Sequence, residues 1–383
     1  MEIQIIGSTN NIKTKEEALE LSRSFARLCY TSKDFDEILK EPDPTILIAD
    51  LMRRGHHSVF DQPVFNFELK RIPKFGAMIL NNERDYATSE KSARYTQMKV
   101  EGREKELYNK WMGIFQEEIK KNYPFLDEKQ KDKTLKLAQE NARYMTSVFT
   151  PTKMGHKLSF RQLNYIMHWF NDFQSEEPDT KFNVRVKAFM KEFNEKMDFL
   201  YEPGLDPKLK LRELSMFSRR QNFAEEFGEN YSTSYDISFA GLAQAHRHRT
   251  LAYSMQPIKD NFNFTFFVPE IISEESLRKK WVADLESVSE NYPQATLVDV
   301  HESGSYTDFI SKMSERLCGN AQWEIMNSTR QTLEEYLINI PFSSHEVYSE
   351  LEKYSHGPKC SFPHAKCTDP CPFRKELGIA RKV

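Results

Sequence analysis

Two half-motifs occur once each in opposite halves of this chain: Ser92-Ala93-Arg94-Tyr95 early, and Arg247-His248-Arg249 late. Each follows the same lead-in, an apolar strand-like run and then a helix-like run. The chain therefore reads as a tandem duplication, and this constrains its fold more than composition does. The Arg-His-Arg place of the first copy holds Asn82-Glu83-Arg84, and the Ser-x-Arg-Tyr place of the second holds Pro257-Ile258-Lys259-Asp260. Each copy has kept what the other lost, as two halves sharing one active site would.

A length of 383 residues with 39% apolar content is enough for two moderate cores, so two units are expected, residues 1–203 and 204–383. The segment Glu202–Pro207, with Pro203, Gly204 and Pro207, is the expected linker. A net charge of −3 provides no global attraction to nucleic acid or to anionic membranes. The opening MEIQIIGSTN lacks a basic, long-apolar leader pattern, and no apolar run approaches a transmembrane length. A cytoplasmic location is the expectation, and five cysteines in so long a chain do not make a disulfide framework.

Periodicity and punctuation predict a strand over residues 2–6 and a capped helix from Thr14 with Glu17 through about Tyr30. They then predict a helix over 45–54 ending at Gly55, a strand over 64–69, and a helix after Pro73. Helices follow over roughly 103–121, 130–147, 159–173 and 182–200. The cycle restarts with a strand at 235–239, a helix over 240–249 and a strand over 262–268. Helices over roughly 274–290, 305–318 and 321–340 complete it. The class is α+β, dominated by helices.

His246, Arg247, His248 and Arg249 at a helix end can engage phosphates or an electron-rich ring. On spacing alone, a basic helix terminus favoured by the macrodipole accounts for them more readily, because basic clusters at helix ends are common. Ser92 and Arg94, two apart, can grip a phosphate, yet surface Ser and Arg are common. Alone, neither motif decides.

Their surroundings do. The first half has Gly55-His56-His57-Ser58, Phe65-Asn66-Phe67, Ser89-Glu90-Lys91-Ser92-Ala93-Arg94-Tyr95 and Glu140-Asn141-Ala142-Arg143. The second has Asp236–Gln244, Arg247-His248-Arg249, and Arg316 ahead of Ala321-Gln322-Trp323-Glu324-Ile325. In this order the motifs resemble those of the flavin-dependent thymidylate synthases, the first half over nearly its whole length.

The resemblance implies methyl transfer to C5 of dUMP, with carbon from methylenetetrahydrofolate, hydride from FAD, and NADPH reducing the flavin. It implies that Glu90, Ser92, Arg94, Tyr95 and Arg143 seat the nucleotide, and that Arg247, His248 and Arg249 hold flavin or nucleotide. His56 and Ser58 would join the flavin pocket. Arg316 would sit at the uracil ring as the catalytic cation, stabilising charge on a carbonyl as C5 becomes nucleophilic. For assembly it implies a homodimer acting as a pseudo-tetramer, in which half of the possible sites are dead.

Departures accompany the matches. Phe170 stands at the first copy's distal arginine position and Ser159-Phe160-Arg161 at its Asn-x-Arg element, while the second copy lacks Gly-His-x-Ser, Ser-x-Arg-Tyr and Ala-Arg elements. They keep open a flavin- and folate-dependent hydroxymethylase of a pyrimidine nucleotide, and a non-catalytic nucleotide-binding paralogue. A cysteine-dependent route is disfavoured, because Cys371 lies in a Pro-Cys-Pro setting and Cys29 ends an amphipathic helix. Cys318, Cys360, Cys367 and Cys371, with His364 as a substitute, would make a structural zinc site if the tail folds back. Unligated thiols are the alternative. His156 and His168 are expected in the core, the alternating charges of 104–121 on a solvated helix face, and Phe262–Val268 in a buried strand.

Overall fold

The computed structural model describes residues 1–28, 31–40, 48–83, 86–93, 96, 100–210, 214–217, 231–246, 248, 250–340, 345–362, 365, 371–373 and 376–383. Among them the order begins β1 (Glu2–Ser8), α1 (Lys15–Arg27), α2 (Phe35–Lys40), α3 (Ile48–Arg53), β2 (Val64–Pro73), α4 (Lys74–Leu80) and β3 (Ala87–Glu90). Next come α5 (Gly102–Asn122), α6 (Leu126–Lys129), α7 (Lys133–Ala142), β4 (Pro151–Ser159), α8 (Phe160–Glu176) and α9 (Lys181–Met197). The second half has β5 (Tyr231–Ser238), α10 (Phe239–Ala245), β6 (Ala252–Met255), α11 (Glu275–Glu286), β7 (Leu297–Gly304) and α12 (Tyr306–Arg316). It closes with α13 (Trp323–Asn339), α14 (His345–Glu352) and α15 (Glu376–Ala380). The class is helix-rich α+β, and no helix among the described residues is long and apolar enough to cross a membrane.

The chain forms two compact units, but they interleave. The first comprises residues 1–91, 151–218 and 257–262, and the second 92–150, 219–256 and 263–383. The cut expected at 203/204 is therefore not where the compact units divide. The segment after β3 packs in the second unit, and the short segment after β6 packs in the first. Nor is Glu202–Pro207 a free hinge, since Leu205 is fully buried and the Glu202 N–H donates to Asn164 Oδ1 at 2.6 Å.

In the first unit the sheet order is β1-β2-β4-β3, with every pairing antiparallel. Burial alternates along β2, so Phe65, Phe67, Leu69 and Ile72 point into the core. α1 starts at the expected capping box of Thr14 and Glu17, and Gly55 ends the α3 turn with φ +69°, a conformation costly for any residue with a Cβ. Ser159 caps α8 by accepting from the Gln162 N–H. α8 packs on α9 through Phe170, whose ring lies 5.6 Å from Phe189 and 5.3 Å from Phe193.

In the second unit the order is β5-β7-β6, again antiparallel. Ser305 and Asp308 form a capping box that starts α12. The core of this unit is aromatic: Trp111 and Phe115 of α5 lie 4.7 and 5.5 Å from Trp281 of α11. The indole N–H groups donate to Asp284 from Trp111 and to the Phe267 carbonyl from Trp281, so neither is buried unpaired.

The two sheets repeat one pattern. β2 and β3 both pair with β4, as β5 and β6 both pair with β7, and a capped helix follows the central strand in each. Pairing fixes the correspondence: Phe65 opposes Leu158 as Tyr231 opposes Gly304, and Leu69 opposes Met154 as Tyr235 opposes Val300. The first sheet differs by a bulge between Lys70 and Ile72, where Arg71 has φ 57°. Counting from the Ser159 and Ser305 caps, His156 corresponds to Glu302, Ile166 to Lys312 and Phe170 to Arg316.

Some expectations are corrected. Residues 262–268 do not form a strand; among them only Phe266 makes a bridge, to Thr296, and Phe267 packs its ring 4.9 Å from Tyr144. The aromatics are anchors along a loop. The expected helix over 130–147 stops at Ala142 and continues as a tight turn, Arg143–Met145.

Candidate functional site

The second unit gathers the chemistry. Ser238 caps α10 by accepting from the Gly241 N–H at 2.9 Å, and the short helix then delivers His246 and His248 from its C-terminal end. Glu324 secures that start, accepting from the Ser238 N–H at 2.8 Å and its hydroxyl at 2.6 Å. Gly241 is required beside it, because a Cβ there would stand 2.6 Å from Ile237 and 2.8 Å from the Glu324 carboxylate.

The structure brings His248 and Arg316 together. His248 is 4% exposed, its ring nitrogens make no hydrogen bond among the described residues, and Nδ1 lies 3.6 Å from the Glu315 carboxylate. Arg316, at the end of α12, also reaches Glu315 at 4.0 Å. Burial pushes the His248 pKa down, and the Arg316 cation pushes it further down, against the opposing pull of Glu315. The imidazole is therefore neutral at pH 7, beside a permanent cation.

A pH prediction follows with its sign. Between the ordinary imidazole value of 6.5 and the lower value in the fold, the unfolded chain binds the extra proton. Stability falls as pH drops through that window and levels below it. A melting-temperature series should show this acid loss in the parent and lack it in His248→Asn; identical series would remove the buried neutral imidazole.

Arg143 is a second buried cation of this unit. It follows α7, is 3% exposed, and among the described residues neither Nε nor Nη2 has a hydrogen-bond partner. Its guanidinium lies 6.0 Å from the Tyr144 ring, and Tyr144 is held by donation to Glu324 at 2.8 Å and by Gln322 donating to its hydroxyl at 2.7 Å. Burial and the adjacent Glu324 push the Tyr144 pKa well above its ordinary value. Glu324 is itself raised by burial, with the Ser238 hydrogen bonds opposing. A buried guanidinium with free N–H groups is a receptor for an anion or a carbonyl.

Elsewhere the expected site residues are dispersed. In the first unit His56 and Ser58 are exposed, whereas their neighbour His57 is buried, with Nδ1 2.6 Å from the Tyr165 hydroxyl and Nε2 3.0 Å from the Met52 carbonyl. Glu90 accepts from Lys74 at 2.6 Å and from Asn81 at 3.3 Å. Ser92 is half-buried, and its carbonyl accepts from the Thr96 N–H. Arg94, Tyr95, Arg247 and Arg249 lie outside the described residues.

In the first unit, the positions corresponding to Arg247 and His248 hold Asn82 and Glu83, both buried. Glu83 Oε1 accepts from the Ser215 N–H and hydroxyl at 2.9 and 2.8 Å, and Asn82 donates to that hydroxyl. A chain segment, not a ligand site, satisfies these groups.

Sequence reasoning missed a buried polar network on the second sheet. Lys312 Nζ donates to both oxygens of Glu302 at 2.6 and 2.7 Å, and Tyr231 and Tyr235 donate to the same carboxylate at 2.5 and 2.6 Å. Neither charged residue is exposed. The only sequence signal was a charge at an inward strand position, which breaks the alternation of β7.

Of the cysteines, Cys318 and Cys371 are near enough to interact electrostatically, and a Cβ on Gly319 would stand 2.8 Å from Cys371 Sγ. Burial raises the Cys371 thiol, which donates to the Phe373 carbonyl at 3.2 Å, so it is no activated nucleophile. Cys360 is an exposed free thiol, and Cys29 and Cys367 lie outside the described residues. Among the described residues no group of three or more His, Cys, Asp or Glu is placed to hold a metal.

Comparisons add a family. Residues 12–192 match the sequence profile described as Thymidylate synthase complementing protein. Among solved structures the chain is similar to the UMP/dUMP methylase PolB from Streptomyces cacaoi bound with 5-Br dUMP, at 17% identity over 56% of this chain and 96% of that one, TM-score 0.33. It is also similar to the flavin dependent thymidylate synthase ThyX from Helicobacter pylori complexed with FAD and dUMP, at 17% identity over 53% of this chain and 98% of that one, TM-score 0.31. No curated protein matches.

Proposed function

From the match of residues 12–192 to the thymidylate synthase complementing protein family, we propose that the chain is a flavin-dependent enzyme methylating dUMP at C5. The observation that carries this reading is Arg143, whose Nε and Nη2 are buried without partners among the described residues of the compact unit that also holds His248 and Arg316. Orphaned donors of this kind fit a ligand rich in phosphate and carbonyl acceptors, as a nucleotide and a flavin both are.

In this reading Arg143 binds nucleotide oxygens, with Ser92 and Arg94 gripping the phosphate. His248, flanked by Arg247 and Arg249, would hold the FAD. Because His248 is neutral, it offers one N–H donor and one acceptor without adding a second charge beside Arg316. Arg316 stabilises the negative charge that develops on a uracil carbonyl as C5 becomes nucleophilic, and its guanidinium keeps its proton throughout. FAD supplies hydride chemistry when bound, methylenetetrahydrofolate supplies the carbon, and NADPH restores the reduced flavin. Cys371 has the wrong protonation for a thiolate route.

The composition of the second unit supports one site built from both halves of the sequence. Ser92 and Arg143 lie in the same compact unit as His248 and Arg316, and Glu83 and Phe170 stand at the positions of the first unit that correspond to His248 and Arg316. On this reading each chain is a tandem pair with one working constellation, and two chains make the assembly.

The purified chain should be yellow and should bleach on addition of NADPH. With dUMP and methylenetetrahydrofolate it should release a product with the mass of dTMP. A colourless chain that binds nucleotide alone overturns the enzymatic reading, and a hydroxymethylated product overturns methyl transfer.

A further inference from the structure

The two sheets provide an internal control on what the fold requires. Register places Phe65, Leu69, His156 and Ile166 of the first unit where the second has Tyr231, Tyr235, Glu302 and Lys312. All four first-unit residues are buried, so a sheet of this topology packs its helix without an ion pair. The second unit nevertheless buries a lysine and a glutamate completely and surrounds them with tyrosine hydroxyls. Replacing such a pair with apolar residues is often neutral or stabilising, so packing alone gives no reason to keep it.

What does accompany the pair is Arg316. Lys312 lies one helical turn before Arg316 on α12, which puts both cations on one face. That like-charge spacing is itself unfavourable. The first unit, which has Ile166 at the lysine position, has Phe170 at the arginine position.

We propose that the Lys312–Glu302 pair, with Tyr231 and Tyr235, is a positioning element for Arg316 and His248. The two-oxygen clamp from α12 to β7 fixes the rotation of the helix that carries Arg316, where an apolar contact would allow it to slide. The two tyrosine hydroxyls and the ammonium occupy both Glu302 oxygens, so this carboxylate cannot capture the Arg316 guanidinium. The Lys312 charge also adds to that of Arg316 in holding His248 neutral, against Glu315 and Glu302. Glu302 sits below the usual carboxylate range because Lys312 and the hydrogen bonds overcome its burial. The inference rests on the reading of Arg316 and His248 given above.

The test is the double variant Lys312→Met/Glu302→Gln, which removes both charges at nearly constant volume and leaves each tyrosine a partner. It should melt no lower than the parent and keep its flavin, while kcat falls at least about tenfold with the nucleotide KM within about threefold. The single variant Lys312→Met should raise the His248 pKa by about half a unit or more in an NMR titration of labelled histidine, and the double variant should bring it back. A folded double variant with kcat within threefold of the parent overturns the positioning role. An unmoved His248 titration in both variants overturns the electrostatic role. If the parent makes no thymidylate, the enzymatic reading fails by itself, and the titration still decides the link between Lys312 and His248.

Discussion

Replacing Arg316 with alanine should lower thymidylate production by about two to three orders of magnitude, the cost of removing one preorganised group that meets developing charge. The side chain is 17% exposed, close to the neutral His248 and the Glu315 carboxylate. Water screens it little, so its field on a ring carbonyl is strong. The charge it stabilises is larger in the transition state than in bound dUMP. The loss should therefore appear in kcat, with the nucleotide KM nearly unchanged. Bound flavin should persist, since this reading assigns the cofactor to the segment around His248. Arg316→Lys should recover part of the rate, because it restores charge without the planar fork. Steady-state rates and the flavin absorbance of the purified variants decide it. An alanine variant within tenfold of the parent rate would remove Arg316 from the chemistry.

Where local chemistry decides structure, the sequence was legible. The Thr14 box, the glycine at Gly55 and the helix after Pro73 all stand where capping and turn rules place them. β4 and β7 escaped notice for one reason. Their inward positions include Thr152, His156 and Glu302, polar residues that erase the period-2 signal although burial along the strands alternates. The Phe262–Val268 run failed in the opposite sense, since its aromatics anchor a loop instead of pairing in a ladder. The unit boundaries were hidden because long-range packing, not composition, sends residues 92–150 into the second unit. For the candidate site, Arg143, His248 and Arg316 were picked out by motif alone. The Lys312–Glu302 network was not, because Tyr231 and Glu302 are 71 residues apart in sequence and meet only through strand pairing.

The second large effect separates stability from binding at Arg143. A buried guanidinium with two nitrogens lacking partners is a cost in the free protein, one that a bound anion or carbonyl would offset. Arg143→Met keeps the length and apolar stem of the side chain but removes the charge. The free variant should therefore melt at the parent temperature or above it, against the usual outcome for a core substitution. Nucleotide affinity should move the other way. Hydrogen bonds to a charged group contribute about 1.5–3 kcal/mol each, so losing one weakens binding roughly 10- to 150-fold. The stabilisation that saturating dUMP gives the parent should shrink accordingly. Calorimetric melting with and without dUMP, together with a direct titration, measures both signs. A free variant that melts several degrees lower but binds dUMP like the parent would make Arg143 a structural residue, partnered through its Tyr144 and Glu324 surroundings, and would remove the main support for a nucleotide site in this unit.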